Sequence, residues 1–297
     1  IIASNGSVNL TNTTVTDNTR PVVYTGPGSV VFNGINNLTG NSTDRMYINF
    51  SEHTNTFVLD TTAIPYEFAG GFTIGNGGTL QVDSGNVLWM KTYLRIRGGT
   101  LNAYGSRFTS AQSPKDKGDW EEIEVGYSST SGTANFWGCT IEYGGYSGSS
   151  INNAMIDVNR GTVSFYDNSV VRRSNNVGIR ISSTGNVNMT NTVVSENTWP
   201  ILYSGPGSLI FHQTNDLTGN THDGIQVRFT YLSGNFLLDT IDVPYYFYSS
   251  FTIQSGGNLE IASGNIIKSE SSFYVDGTII AVAGVGELIY FTTFEDD

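Results

Sequence analysis

The chain has 297 residues, a charged fraction of only 13% and a formal net charge of −12. With just 14 lysines and arginines it cannot neutralise a run of phosphates, which excludes nucleic acid and anionic membrane surfaces as expected partners. No apolar run approaches the ~18 residues of a membrane span. The single cysteine, Cys139, forms no intramolecular disulfide and is expected to be a small buried residue. The chain starts with Ile1 and shows no signal peptide, so we expect a processed or partial chain.

A short motif recurs along the chain, a glycine followed by two apolar residues at alternate positions. The alternation predicts a β-strand with one inward face, and the glycine is expected at a tight corner with positive φ. Its spacing of mostly ~20–29 residues is typical of one turn of a β-solenoid. We therefore predict an all-β protein, a right-handed parallel β-helix of about 12 coils; a β-sandwich would instead need hairpin turns every ~8–12 residues. In chain order the motif begins at Gly6, Gly28, Asn55 (in place of glycine), Gly78, Gly99, Gly132, Gly161, Gly185, Gly207, Gly234, Gly257 and Gly277.

A long internal duplication contains the short motif. Residues 6–97 align without gaps with residues 185–276 at an offset of 179, with about 39 of about 92 positions identical. With a short insertion the match extends, so that residues 1–110 correspond to residues 180–293 and residues 111–179 form an unrepeated middle block. We expect one β-helix domain over residues 1–297. The order of the blocks is that of a window from a tandem array, or of a unit that assembles end to end.

Three segments of the middle region resemble a known group of proteins. Phe108-Thr-Ser, Gly118-Asp-Trp120 and the run from Cys139 to Gly145 are similar to the right-handed, pectate-lyase-like β-helix repeats of bacterial and archaeal secreted surface proteins. The resemblance implies a β-helix and an extracellular or cell-surface location. It implies no single activity, because pectin-degrading enzymes, tailspikes, adhesins and structural filaments share this architecture.

No catalytic constellation is recognisable in the sequence. The only Asp-Asp pair is Asp296-Asp297, and the Asp, His, Arg and Lys motifs of polygalacturonases are absent. The glutamates around the strand after Trp120 are expected to form a solvated face, although two of them share that face. None of the three histidines is retained between the two copies, so no duplicated metal site depends on them. We therefore predict no catalytic residue, no cofactor and no metal. These glutamates and histidines are Glu121, Glu122, Glu124, His53, His212 and His222.

Polar and aromatic residues that match between the copies are more informative. Asp60 and Asp239 follow apolar strands, where a carboxylate accepts backbone N–H groups at a corner, and we favour this role over Ca²⁺ binding. Asn18 and Asn197 are expected to form stacked corner amides. Matched phenylalanines predict core stacks, and a group of tyrosines is either core edge, ordinary surface or a sugar platform. The matched pairs are Asp44 and Asp223, Phe32 and Phe211, Phe50 and Phe229, Phe57 and Phe236, Phe68 and Phe247, and Phe72 and Phe251; the tyrosines are Tyr143, Tyr146, Tyr245, Tyr246 and Tyr248.

The leading functional hypothesis is a structural extracellular protein, the repeat unit of a filament or elongated surface protein. No capping helix is predicted at either end, so self-association by end-to-end stacking of coils is expected. The alternative is a polysaccharide-binding or polysaccharide-degrading β-helix protein, or a glycan-binding adhesin, with glycans as a second class of partner. Candidate N-glycosylation sites are Asn5, Asn9, Asn12, Asn37, Asn41, Asn49 and Asn188.

Overall fold

The computed structural model describes residues 1–3, 6–146, 153–182 and 184–296. Over these ranges the chain is a right-handed parallel β-helix of about 12 turns, with all-parallel stacked sheets and no helices. In these ranges, accordingly, no helix is long and apolar enough to cross a membrane. The predicted fold class is confirmed.

Three long parallel sheets form the sides of the solenoid. Sheet 1 contains β2 (Val22–Tyr24), β4 (Met46–Ile48), β7 (Tyr66–Phe68), β10 (Val87–Met90), β13 (Arg107–Ser110), β16 (Thr140–Glu142), β19 (Val170–Arg172) and β22 (Val193–Ser195). Sheet 2 contains β5 (Glu52–His53), β8 (Phe72–Ile74), β11 (Leu94–Ile96), β14 (Ile123–Val125), β17 (Ala154–Val158), β20 (Val177–Ile181), β23 (Trp199–Tyr203), β25 (Ile225–Val227), β28 (Tyr245–Phe247), β31 (Ile266–Ser269) and β34 (Tyr290–Thr292). Sheet 3 contains β6 (Thr56–Leu59), β9 (Thr79–Val82), β12 (Thr100–Tyr104), β15 (Gly132–Trp137), β18 (Gly161–Tyr166), β21 (Asn186–Thr190) and β24 (Ser208–His212).

Three short sheets complete the two ends. The N-terminal one pairs β1 (Ser7–Thr11) with β3 (Ser29–Asn33). The two C-terminal ones are formed by β26 (Tyr231–Leu232), β29 (Phe251–Ile253) and β32 (Phe273–Val275), and by β27 (Asn235–Leu238), β30 (Asn258–Ile261) and β33 (Thr278–Ala281). β3 contacts β6 of sheet 3, and β24 of sheet 3 contacts β27. The β1–β3 sheet and the β27–β30–β33 sheet therefore continue the side of the solenoid that sheet 3 forms.

Equivalent strands of the two copies lie in different sheets. β4 and β25 are 179 residues apart in sequence, yet β4 belongs to sheet 1 and β25 to sheet 2. In each copy one side of the solenoid ends at an isolated bridge, Thr14 to Asn37 or Val193 to Asp216. A new sheet then starts at β5 or at β26. Strands of sheet 1 in the first copy, such as β4 and β7, are therefore equivalent to strands of sheet 2 in the second, such as β25 and β28.

The interior consists of columns of apolar side chains in register from coil to coil. In the column of sheet 2, each residue is at most 2% exposed. Burying a side chain of this kind stabilises the fold by roughly 1.5–3 kcal/mol. The matched phenylalanines occupy the same interior, as predicted. Phe50 lies edge-on to Phe57 and Phe72, with ring centroids 5.3 and 5.2 Å apart. The column in sheet 2 is Ile74, Ile96, Val125, Val158, Ile181, Tyr203, Val227 and Phe247.

The leading glycines of the short motif form a column of their own. A Cβ atom on Gly161 would lie 2.3 Å from the carbonyl oxygen of Gly132, and one on Gly207 would lie 2.3 Å from that of Gly185. None of these four glycines has a positive φ. The expected reason for the glycine was therefore wrong: the residue is needed because adjacent coils approach too closely for a side chain.

Asparagine side chains at the corners bond adjacent coils to one another. The Asn86 Nδ2 donates to the carbonyls of Leu59 at 3.0 Å and Asp83 at 2.9 Å, and its Oδ1 accepts from the amide of Thr62 at 3.2 Å. Asn265 makes the three equivalent bonds in the second copy. Each amide thus satisfies buried backbone groups of two coils at once.

The retained residues of the sequence comparison take the corner roles expected of them. The Asp60 carboxylate accepts the amides of Thr61 at 2.9 Å and Phe32 at 3.1 Å, and Asp239 accepts the equivalent amides in the second copy. The backbone N–H groups of Asn18 and Asn197 each donate to the side-chain Oδ1 of an asparagine of the next coil. The expected stack of side-chain amides is present at Asn197, whose Nδ2 donates to Asn220 Oδ1 at 3.1 Å, whereas the Asn18 Nδ2 donates to the carbonyl of Thr16. These contacts favour a structural role for the retained polar residues.

Candidate functional site

Two inserted loops interrupt the regular solenoid at one corner. Between sheet 1 and sheet 2 most coils turn within three or four residues, such as 91–93 and 173–176. After β13 the connection is residues 111–122, and after β16 it is residues 143–153, of which 147–152 lie outside the described residues. Both insertions belong to the unrepeated block and lie in adjacent coils. In solenoids such insertions on one face commonly mark a binding surface.

Trp120 anchors the first inserted loop. Its side chain is 1% exposed, and its Nε1 donates to the carbonyl of Glu142 at 2.9 Å. A Cβ atom on Gly144 would lie 2.8 Å from the indole ring, so a glycine is required beneath it. The Gly118-Asp-Trp120 and Cys139–Gly145 segments therefore meet in space. Cys139 is buried, and burial raises the pKa of its thiol to about 11.

Glu142 is the centre of a buried ion cluster beneath this corner. It is fully buried on the outer side of β16 and accepts from Arg107 Nε at 2.6 Å, Thr109 at 2.9 Å and Arg172 Nε at 3.0 Å. Burial alone would raise the pKa of Glu142, but these bonds hold it below its usual value. The cluster joins three coils, so we assign it a bracing role.

A second ion cluster lies on the outer side of sheet 2. Glu124 and Asp157 are in register on neighbouring strands. Arg95 Nε lies 2.7 Å from Glu124, and Arg180 donates to both oxygens of Asp157 at 2.9 and 2.6 Å. Glu124 is only 4% exposed, so the expected solvated glutamate face was wrong at this position. Arg95 precedes Glu124, and Arg180 follows Asp157, by about one coil of sequence. These ion pairs can therefore be found in the sequence only by comparing residues that are one coil length apart.

Glu122 lies beside this second cluster with a perturbed pKa. Burial, Asp157 and Glu124 raise the pKa of Glu122 to about 7. The residue lines a cavity of about 320 Å³ together with Glu121, Tyr146, Asn153 and Ala154. It can therefore hold a proton near neutral pH. The neighbouring carboxylates are held in arginine ion pairs, which favours a structural role over an acid–base pair. Within the described residues, no group of histidine, cysteine and acidic side chains is arranged to hold a metal ion.

The two end coils expose apolar residues that are buried elsewhere. Phe291 continues an inward column above Ile267 but is 56% exposed, and Val275 on β32 is 48% exposed. Twelve of the 18 exposed large hydrophobic residues lie within residues 1–35 or 274–291. At the N-terminal end, β1 pairs with β3 along its inner edge, and no strand of the described residues pairs with its outer edge. At the C-terminal end, the outer edges of β32, β33 and β34 are likewise unpaired within the described residues. Both ends therefore combine open strand edges with uncovered interior columns.

The candidate glycosylation sites differ in how free their side chains are. Asn9, Asn37 and Asn49 are exposed, and Asn188 is half-buried on β21. Asn12 is also exposed, and its Oδ1 accepts from the amide of Ile35 at 3.0 Å.

Asn41 is a corner asparagine rather than a free acceptor. Its Nδ2 donates to Val15 and Leu38, both at 2.9 Å, and a sugar on that nitrogen would replace one of these bonds. Asn5 lies outside the described residues. Glycosylation at all of these positions stays a prediction.

The tyrosines considered as a sugar platform occupy different environments. Tyr245 is fully buried in the core, and Tyr146 is 55% exposed near the inserted loops. The Tyr143 hydroxyl accepts from Arg173 at 2.6 Å. Tyr246 and Tyr248 point outward from sheet 2 and share an aromatic cluster there. These five tyrosines therefore form no single platform, and only the last pair belongs to an outward-facing aromatic group. His53, 2% exposed, is a core residue packed against Phe57 and Phe72.

No protein-family model matches this chain, and neither a search of curated proteins nor one of solved structures finds a significant match.

Proposed function

We propose that the chain is a structural repeat unit of an elongated extracellular assembly, in which further coils, from another molecule or from an adjoining repeat of a tandem array, stack on its terminal coils. The observation that carries the proposal is the pair of uncovered solenoid ends. Open strand edges and exposed interior columns are the two features that a further coil would satisfy together.

The internal duplication supplies a model for what covers each end. Val8 on the first coil is 38% exposed, whereas its equivalent Val187 is fully buried because it pairs with Val163 of the preceding coil. Val275 on the last coil is 48% exposed, whereas its equivalent Ile96 is fully buried beneath Val125. In both cases the covering surface is another β-coil of this same chain, which supports a second copy as the occupant.

The energetic gain from covering these ends is substantial. Completing the burial of Val8, Val275 and Phe291, which are 38, 48 and 56% exposed, contributes roughly 2–4 kcal/mol in all. Parallel backbone pairing would add hydrogen bonds at the ~4.8 Å strand spacing. The G-x-Φ-x-Φ pattern is present in both β1 and β33, so the two end strands have matching alternation. The side surfaces are polar and low in charge, with exposed asparagines at Asn9 and Asn49, which supports growth along the axis rather than sideways.

Sedimentation velocity over a range of protein concentrations tests the proposal. The wild-type chain should sediment as a series of species, and Phe291→Asp at the open end should shift the population to the monomer. Ile210→Asp is the matched control, since Ile210 is an exposed side-surface residue and is 37% exposed. A wild-type chain that stays monomeric at every concentration, or equal association in the two variants, would overturn the proposal.

A further inference from the structure

A cluster of aromatic side chains lies on the outer face of sheet 2 in the second copy. Trp199 stacks on His222 with ring centroids 4.5 Å apart, and it meets Tyr246 edge-on at 5.5 Å and Tyr248 at 6.0 Å. Phe294 packs against both tyrosines, at 5.1 and 4.7 Å. The members of the cluster come from the coils of β23, β25, β28 and β34 and lie on the side of the solenoid, away from the interior columns.

The first copy shows that the fold does not need these aromatic residues. The positions of Trp199, Tyr246 and Tyr248 are occupied there by Arg20, Glu67 and Ala69. The equivalent strands form and pair in the first copy without an aromatic cluster at these positions. Outward aromatic side chains that the backbone does not require are expected to have a binding role.

Tyr246 also forms the wall of a neighbouring cavity of about 560 Å³. Its ring occupies the space that a side chain at position 224 would need, since a Cβ atom on Gly224 would lie 2.3 Å from the ring. The first copy has Arg45 at that position. The glycine therefore lets the ring lie against the backbone of the adjacent coil. The cavity is lined by Asp223, Pro244, Tyr246, Ile266, Lys268, Tyr290, Thr292 and Asp296.

The lining of this cavity is amphipathic. The lining contains aromatic rings and aliphatic carbons together with the carboxylates of Asp223 and Asp296 and the hydroxyl of Thr292. Lys268 donates to the backbone carbonyl of Asp296 at 2.5 Å and lies 5.8 Å from the centre of the Tyr246 ring. A sugar ring has the complementary surface, with apolar C–H faces for the aromatic rings and hydroxyls for the polar groups.

Charge and backbone pairing narrow the ligand class. Two cationic side chains and three carboxylates lie around the groove, so the groove has no excess of positive charge. They are Arg228, Lys268, Asp223, Glu270 and Asp296. The chain as a whole carries −12, which disfavours acidic polysaccharides. The strands β25, β28 and β31 are paired on both sides, which leaves no edge there for an extended peptide to join.

We propose that this aromatic groove, formed by Trp199, Tyr246, Tyr248 and the adjoining cavity, binds a neutral oligosaccharide. The rings of the cluster contact the apolar faces of successive sugar units. The Asp223 carboxylate accepts hydrogen bonds from their hydroxyls, as does the hydroxyl oxygen of Thr292, whose own proton is donated to Asp296. Trp199, Tyr246 and Tyr248 lie on or beside β23 and β28, which are paired on both sides, so substitutions of these three residues leave the outer edges of the end coils unchanged.

Isothermal titration calorimetry with neutral hexasaccharides of glucose, mannose, xylose and N-acetylglucosamine tests the proposal, with polygalacturonate as the acidic comparison. At least one neutral probe should bind the wild-type chain. Tyr246→Glu and Trp199→Arg, which restore the residues of the first copy, should each weaken that binding about tenfold or more.

The control variant is Tyr104→Ala, in the stacked outer row on sheet 3, where Tyr104 lies 4.6 Å from Trp137. It should bind the neutral probe as the wild type does. Thermal denaturation by circular dichroism shows that each variant is folded, and sedimentation of the two groove variants should match the wild type. Binding of none of the neutral probes, binding of polygalacturonate alone, or an equal affinity in all variants would overturn the proposal.

Discussion

The two copies of the duplicated block agree on the inside of each coil and differ on the outside. At the corners Asn86 and Asn265 make the same three hydrogen bonds. On the outer face, Glu67 of the first copy forms ion pairs with Arg45 and Lys91, whereas its equivalent Tyr246 belongs to an aromatic cluster. The difference shows which positions the stacking of coils determines and which positions are available for other roles.

The physical reason is the location of the backbone groups. Inside a corner every buried N–H and C=O group needs a partner from its own coil or the next, and few side chains can reach both. On the outer face the parallel backbone pairing is complete without side chains, so an ion pair or an aromatic ring fits equally well. Function on this solenoid is therefore expected in the residues that the copies do not share.

The largest predicted effect concerns a shared corner. Asn86→Ala and Asn265→Ala should each lower the free energy of unfolding by about 3–5 kcal/mol, because each removes three hydrogen bonds and leaves buried carbonyls without a partner. Urea denaturation of the two variants measures the loss. Because the contacts are equivalent, the two losses should be similar; a large loss in one copy and none in the other would break the comparison at its strongest point.

The unrepeated block extends the comparison to a position with no counterpart. Glu122→Gln should stabilise the chain by about 2 kcal/mol at pH 8 and change stability little near pH 5. In the folded chain the pKa of Glu122 is raised to about 7, so folding favours its protonated carboxyl group. The stability that this preference gives is complete below the unfolded pKa and is lost as pH rises through 7, where the carboxyl group becomes charged.

Urea denaturation of wild type and variant at both pH values measures this effect. A stability difference that does not change between pH 5 and pH 8 would contradict the assigned environment of Glu122.

A smaller effect is predicted for the outer ion pairs of the first copy. Burial opposes ionisation of Glu67, but hydrogen bonds from Lys91 and Arg45 hold the pKa of Glu67 below its usual value. The stability that it contributes is present above its unfolded pKa and is lost as pH falls through the lower, folded pKa. Glu67→Gln should cost about 1 kcal/mol at pH 7, since the partner cations are 31% and 41% exposed.

Thermal denaturation between pH 7 and pH 3 checks this difference. The gap between wild type and Glu67→Gln should close at the acid end, and a gap that widens there would show that Glu67 is not held as an anion.

The smallest effect is expected in the outer aromatic row of sheet 3. Trp137 stacks on Tyr104 and Tyr166 with nearly parallel rings, at 4.6 and 5.4 Å. Trp137→Ala should lower the free energy of unfolding by about 1 kcal/mol, because the row lies outside the core and its rings contact mainly one another. A loss as large as that of the corner asparagines, again from urea denaturation, would show that this outer row stabilises the fold as strongly as the corners do.

The sequence predicted the features that repeat with the coil. The alternation after Gly161 and Gly207 gave the strands, and the retained Asp60 and Asp239 gave the corner carboxylates. The cause of the leading glycine was missed, because the close approach of Gly161 to Gly132 is a contact between coils rather than a local backbone angle.

The outer clusters were missed for a related reason. Glu124 is buried and forms an ion pair with Arg95, which is about one coil away in sequence. The residues next to Glu124 in its own strand give no indication of that partner. The assignment of equivalent strands to sheet 1 in one copy and sheet 2 in the other was also not predicted, because it depends on where one side of the solenoid ends, at Asn37 and Asp216. Aromatic residues such as Trp199 could have been found by asking where the copies differ rather than where they agree.

The central claim, that the open ends of the solenoid bind one another, is tested most directly by measuring rod lengths in electron micrographs of the wild-type chain at increasing concentration. A dozen coils at ~4.8 Å give one molecule a length of about 55–60 Å, so the account predicts rods whose lengths are whole multiples of that value. Rods of a single molecular length at every concentration would contradict it.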